Sequence, residues 1–129
     1  MSRAKKAVPH HVYAAAVIIN RGRVLLARRP PTGLLGGMWE FPSGEVGSAP
    51  RRLLAKTIRK LYDVRVRCSE PLGVVRHGYS HFTVEVHSFL CEAVNVPKRR
   101  GLRWVSLAAL EDFPMGRVDR QIARHLRHG

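Results

Sequence analysis

Residues 37–66 read GMWEFPSGEVGSAPRRLLAKTIRKLYDVRV, and the order of residue types in this stretch fixes the architecture around it. Met38–Phe41 predicts a short strand, stopped by the turn residues Pro42-Ser43-Gly44. Pro50 suits the first turn of a helix, with Ser48 as the candidate cap. Leu54, Ile58 and Leu61 recur at i, i+4 and i+7 and form one buried stripe. The opposite face carries Arg52, Lys56, Arg59 and Lys60. Asp63 follows the helix, where a chain often turns left-handed and Asp is tolerated. Val64 then opens a new strand. The stretch is therefore strand, turn, helix, strand.

Upstream, residues 12–19 (VYAAAVII) and 23–27 (RVLLA) flank Asn20-Arg21-Gly22 and predict a hairpin. Residues 28–37 (RRPPTGLLGG) hold too much Pro and Gly for a regular element and form a loop. Downstream, Val64–Val75 predicts a strand bent by Pro71, and residues 76–80 a loop. In Phe82–Cys91, Phe82, Val84 and Val86 alternate with Thr83, Glu85 and His87, the pattern of a half-exposed strand. A basic turn over Pro97–Gly101 leads to a strand around Leu102–Val105 and a brief helix capped by Ser106. A last helix over 117–127 turns Val118, Ile122 and Leu126 inward and Arg120, Arg124 and Arg127 outward. Residues 1–9 read as a basic mobile tail and 10–129 as one domain.

The chain has 129 residues, with Lys+Arg 23 against Asp+Glu 9 and a net charge of +14. That length suits one domain, and 45% hydrophobic residues exclude a disordered polymer. A pI near 11.4 points to a polyanionic partner, nucleic acid first and an anionic membrane surface second. Cys68 and Cys91 lie far apart in sequence and in no CxxC pair, so they are expected to be unpaired thiols in a reduced compartment. Tyr13–Ile19 is too short for a membrane span, and the start lacks a signal-peptide cleavage pattern. The expected location is cytoplasmic, with no membrane partner.

The stretch quoted first resembles the Nudix box, in which glutamates on one helix face bind divalent cations that activate water. Aligned on Phe41-Pro42 and Asp63-Val64, the box here is about two residues short. The family's Arg-Glu-x-x-Glu-Glu run falls on Lys56, Thr57, Ile58, Arg59, Lys60 and Leu61, and no carboxylate lies between Glu45 and Asp63. Hard cations need oxygen ligands. No metal or other cofactor is therefore expected, and Glu40 and Glu45 beside the turn would make only an incomplete metal site. Three further segments narrow the resemblance. Residues 28–42 (RRPPTGLLGGMWEFP), His77-Gly78-Tyr79-Ser80-His81-Phe82, and Trp104-Val105-Ser106-Leu107 followed by Phe113-Pro114 resemble the C-terminal domain of MutY adenine glycosylases. The similarity as a whole covers roughly residues 12–127.

The resemblance implies a single-domain α/β Nudix fold, a mixed β-sheet between helices, and a non-catalytic module that recognises 8-oxoguanine in duplex DNA for repair. It assigns base recognition to Tyr79, Ser80 and His81. Chemistry independently suits Ser80, because oxidation turns the guanine N7 acceptor into a donor and adds an acceptor at C8. A hydroxyl can both donate and accept. Tyr79 can stack on or wedge beside a base. Arg52, Lys56, Arg59 and Lys60, with Arg120, Arg124 and Arg127, are the expected phosphate contacts. MutY enzymes also carry a helical glycosylase domain with an iron–sulfur cluster, which two cysteines cannot ligate. Either the module acts in trans with a separate glycosylase, or it binds oxidised DNA or nucleotides for another end. The alternative is a divergent Nudix hydrolase acting on a nucleoside diphosphate derivative, such as an oxidised nucleotide, with Mg2+ or Mn2+.

Overall fold

The structure, a computed structural model, describes residues 8–128, with side-chain surroundings through residue 126. Of the expected tail, residues 1–7 lie outside the described residues. Ten elements follow in order: β1 (His10–Asn20), β2 (Arg23–Arg28), β3 (Trp39–Glu40), β4 (Ser43–Glu45), α1 (Pro50–Tyr62), β5 (Arg65–Gly78), β6 (Thr83–Asn95), β7 (Leu102–Ser106), a 3-10 helix (Leu107–Asp112) and α2 (Arg117–His128). No helix among the described residues is long and apolar enough to cross a membrane.

β1 is the pivot of a seven-stranded mixed sheet of order β3-β2-β1-β6-β5. It pairs parallel with β6 from His10↔Thr83 to Ile18↔Cys91 and antiparallel with β4 at Tyr13↔Glu45 and Ala15↔Ser43. Only its end, at Ile19↔Val24 and Asn20↔Arg23, pairs with β2, which then carries β3 and β7. A strand covered on both faces reads as a continuous apolar run, and Ala14 to Ile18 are all essentially inaccessible. Alternation along β1 divides the interior in two. Ala14, Ala16 and Ile18 pack with Leu54 and Ile58 of α1, whereas Ala15 and Val17 pack with Ile122 and Ala123 of α2. Each fully buried Leu or Ile contributes about 1.5–3 kcal/mol of burial free energy. The two helices therefore cover opposite faces of the sheet, the layered arrangement that the family resemblance implies.

Several local expectations need correction. The cap of α1 is Ala49, with no side-chain hydrogen bond, rather than Ser48. A turn at Gly47 (φ +61°) moves the helix start along the chain, and Pro50 takes the first turn. Leu61 is 53% exposed because the helix end overhangs the β4 turn rather than the core. Asp63 does adopt the left-handed conformation (φ 58°, ψ 32°), and its N–H closes on the Arg59 carbonyl. β4 occupies residues assigned to the stop after the first short strand. β5 runs on through the expected loop at Arg76, because pairing continues from Arg76↔Glu85 to Gly78↔Thr83. Pro71, which has no N–H for the ladder, sits at a break in register, as its chemistry dictates.

Candidate functional site

A cavity of about 150 Å³ opens between the sheet and α2. The period of two in β1 and β6 aims Tyr13, Ala15, Val84 and Val86 at it, and α2 contributes Val118, Asp119 and Ile122. Tyr79 and Phe82 close one side. Their rings stack at 4.7 Å, and His77 packs edge-on against Tyr79 at 4.5 Å. The hairpin between β5 and β6 is tightened by the Tyr79 N–H donating to the Phe82 carbonyl at 2.8 Å. Tyr79 is consequently half-buried as a cavity wall, while Ser80 and His81 stand exposed at the hairpin tip. Of the three expected base-reading residues, one faces inward and two face solvent.

The polar rim is a connected network. Arg29 holds Glu40 at 2.6 Å. The Tyr62 hydroxyl, at the end of α1, donates to the Ser43 carbonyl at 3.1 Å and accepts from the Ser43 N–H at 3.2 Å. It also lies 3.5 Å from Glu40. Burial raises the Glu40 carboxyl above its usual range even though Arg29 opposes the shift. Burial, with Glu40 nearby, pushes the Tyr62 hydroxyl up to about 12, so it stays a donor. Deeper in, Asp119 accepts the Phe41 N–H at 3.0 Å. Burial pushes its carboxyl up to about 7, against the pull of that hydrogen bond. Near neutral pH one Asp119 oxygen can thus either accept or donate.

Asp119, Tyr13 and Tyr62 escaped the sequence reading. One signal was legible: Asp119 is the single carboxylate in α2 and lies three residues before the inward-facing Ile122. Glu40 was read as a metal candidate, and the fold gives it to Arg29 instead.

The expected phosphate contacts divide among two faces. Arg52, Lys56, Arg59 and Lys60 are all exposed on α1. Among the described residues none of these four has a carboxylate within ion-pair distance. Arg124 is exposed on α2, across the sheet. Arg120 departs from the outward position expected of it. It is half-buried, and its guanidinium donates to the Leu110 carbonyl at 3.2 Å and to the Phe113 carbonyl. The Leu110 carbonyl, which already accepts the Phe113 N–H, and the Phe113 carbonyl at the helix end draw the guanidinium inward. The Arg127 side chain lies outside the described residues.

The donor set around α1 does not suit a hard divalent cation. Thr57, Lys60 and Leu61 stand where the resembled box has glutamates. A Cβ on Gly44 would fall 2.3 Å from the Thr57 methyl and 2.7 Å from a Leu61 methyl, so hydrocarbon fills the space over the β4 turn. Glu45 pairs with His11 at 2.9 Å, away from Glu40 and Arg29. Among the described residues no group of three or more His, Cys, Asp or Glu side chains is placed to hold a metal ion.

A family model described as the NUDIX domain matches residues 14–125. The chain is 27% identical over 143 residues to the adenine DNA glycosylase of Rattus norvegicus, covering 97% of this chain and 28% of that protein. It is 26% identical over 82 residues to the 8-oxo-dGTP diphosphatase of Proteus vulgaris, covering 62% of this chain and 73% of that one. The chain matches only 16% to 28% of the length of the adenine DNA glycosylases. Among solved structures, the MutT protein of Methanosarcina mazei Go1 superposes with a TM-score of 0.80 at 21% identity, covering 96% of this chain and 98% of that one. The C-terminal domain of mouse MUTYH, solved in complex with human PCNA, gives 0.66 at 24% identity, covering 92% and 88%.

Proposed function

The chain belongs to the NUDIX domain family, and from that premise we propose that it is a binding module for 8-oxoguanine in DNA rather than a hydrolase. The observation that carries this reading is the hydrocarbon contact of Thr57 and Leu61 over Gly44, with Lys60 beside them, where metal-binding carboxylates would be required. The relatives supply the base: one class is named for adenine DNA glycosylase and another for 8-oxo-dGTP diphosphatase. In this reading Ser80 and His81, exposed at the hairpin tip, meet the edge of the lesion, and Tyr79 backed by Phe82 offers an aromatic face. A base that leaves the stack can enter the cavity behind them. There Asp119 accepts from an N–H when ionised or donates to a carbonyl oxygen when protonated. The cations of α1 hold phosphates, a contact that positions the protein without reading sequence.

The alternative, hydrolysis of an oxidised nucleotide, is favoured by the match to most of a diphosphatase and by a cavity large enough to admit a base edge. Two duplexes, one with 8-oxoguanine and one with guanine opposite adenine, decide the matter at matched salt by fluorescence anisotropy. The expected preference is ten-fold or more, about 1.4 kcal/mol, and Ser80→Ala is expected to reduce it while sparing affinity for the undamaged duplex. Equal binding of both duplexes would sink lesion recognition. Mg2+- or Mn2+-dependent release of pyrophosphate from 8-oxo-dGTP would sink the non-catalytic half of the proposal.

A further inference from the structure

The two cysteines, expected to be unpaired, are brought together by the sheet. β5 and β6 are antiparallel, and Cys68 stands directly opposite Cys91 in their register. The Cys91 thiol donates to the Cys68 sulfur at 2.8 Å. Directly opposed residues in an antiparallel pair have Cα atoms about 4.5 or 5.5 Å apart, according to the kind of pair. A disulfide spans about 4.4–6.8 Å between Cα atoms. Either kind of pair can therefore be bridged without moving a strand.

The surroundings give the two sulfurs different tasks. Cys91 is 3% exposed, and Cys68 is half-buried. A reagent from solvent meets Cys68 first. Arg51 of α1 lies over this part of the sheet, its guanidinium donating to the Ser69 carbonyl at 2.6 Å. The hydrogen bond from Cys91, and then the Arg51 charge, lower the Cys68 pKa, whereas the same hydrogen bond and burial raise that of Cys91. Cys68 is thus the attacking thiolate and Cys91 the resolving thiol.

We propose that Cys68 and Cys91 form an oxidation site, closing to a β5–β6 disulfide when the protein meets a small-molecule disulfide such as oxidised glutathione. The Cys68 thiolate attacks one glutathione sulfur, forming a mixed disulfide and releasing one glutathione thiolate. Cys91 then loses its proton, attacks the Cys68 sulfur and expels the second glutathione. One disulfide is reduced and one is formed, with two thiol protons passing to the two glutathiones. The proposal is independent of any reading of the cavity.

The test is intact-mass analysis of the full chain, reduced, desalted and incubated with oxidised glutathione. The expected product is monomeric, about 2 Da lighter, and takes no maleimide after denaturation, whereas the reduced chain takes two. The oxidised chain should also melt higher, because the new bond constrains the unfolded state. In Cys91→Ser the reaction should stop at a glutathione adduct about 305 Da heavier. An unchanged wild-type mass, a wild-type adduct that persists, or a disulfide-linked dimer on a non-reducing gel would overturn the proposal. Because the wild-type mass decides the question alone, a misfolded variant does not obscure it.

Discussion

At the scale of single residues, Asp119 concentrates the chemistry of the cavity. Its carboxyl is charged only at the cost of desolvation, so the folded protein holds that proton up to about pH 7, well above the ordinary value of 3.8. A group whose folded pKa is raised binds its proton more tightly in the native state. Its contribution to stability is therefore full below about pH 4 and is lost as pH rises toward 7. Asp119→Asn keeps an oxygen to accept the Phe41 N–H and removes the titration. Chemical denaturation at pH 5 and pH 8 should show wild type losing stability relative to the variant, by at most about 3 kcal/mol across the window. Parallel pH profiles for the two proteins would show that Asp119 stays ionised in the fold.

At the scale of elements, α1 and α2 look alike in sequence, each an apolar stripe with arginines opposite, and the fold uses their cations differently. On α1, Arg52, Lys56, Arg59 and Lys60 remain in solvent. On α2, Arg120 turns back to the carbonyls of Leu110 and Phe113 and ties the helix to the 3-10 turn before it. Periodicity cannot distinguish the two cases, because the carbonyls that capture Arg120 belong to another element. Arg120→Ala leaves the Phe113 carbonyl without that donor and the Leu110 carbonyl with the Phe113 N–H alone, so it is expected to lower stability by about 1–3 kcal/mol. It should leave the salt dependence of duplex binding unchanged. A reduced salt slope with unchanged stability would return Arg120 to the phosphate-binding set.

At the scale of the whole molecule, the opposed helices decide which cations can serve one bound duplex. The α1 set and Arg124 face opposite sides of the sheet, so one straight duplex does not engage both. The C-terminal turn of α1 adjoins the cavity rim, because Tyr62 bonds to Ser43. Lys60 lies one turn after Thr57, whose methyl stands over Gly44 of β4. Lys60→Glu should therefore weaken damaged and undamaged duplexes alike. Neutralising Lys60 as Ala should reduce the slope of log K against log salt by about 0.9. A selective loss of affinity for 8-oxoguanine in Lys60→Glu would assign Lys60 to base reading instead.

The sequence by itself determined the elements with strong periodicity and local chemistry: the hairpin around Asn20–Gly22, α1 with its left-handed exit at Asp63, the Ser106 cap and the inward row of α2. It also determined that α1 carries no carboxylate, which is a matter of composition. Each of these depends on neighbours a few residues apart in the chain. Tertiary structure alone decided the partners separated by long stretches: Glu40 with Arg29 and Tyr62, Asp119 with the Phe41 N–H, and Tyr79 turned into the cavity while Ser80 and His81 face solvent. Cys68 and Cys91 belong to the same class, since their meeting depends on a strand register with breaks around Pro71. Burial and hydrogen bonding act on distance in space, and the path of a mixed sheet sets that distance.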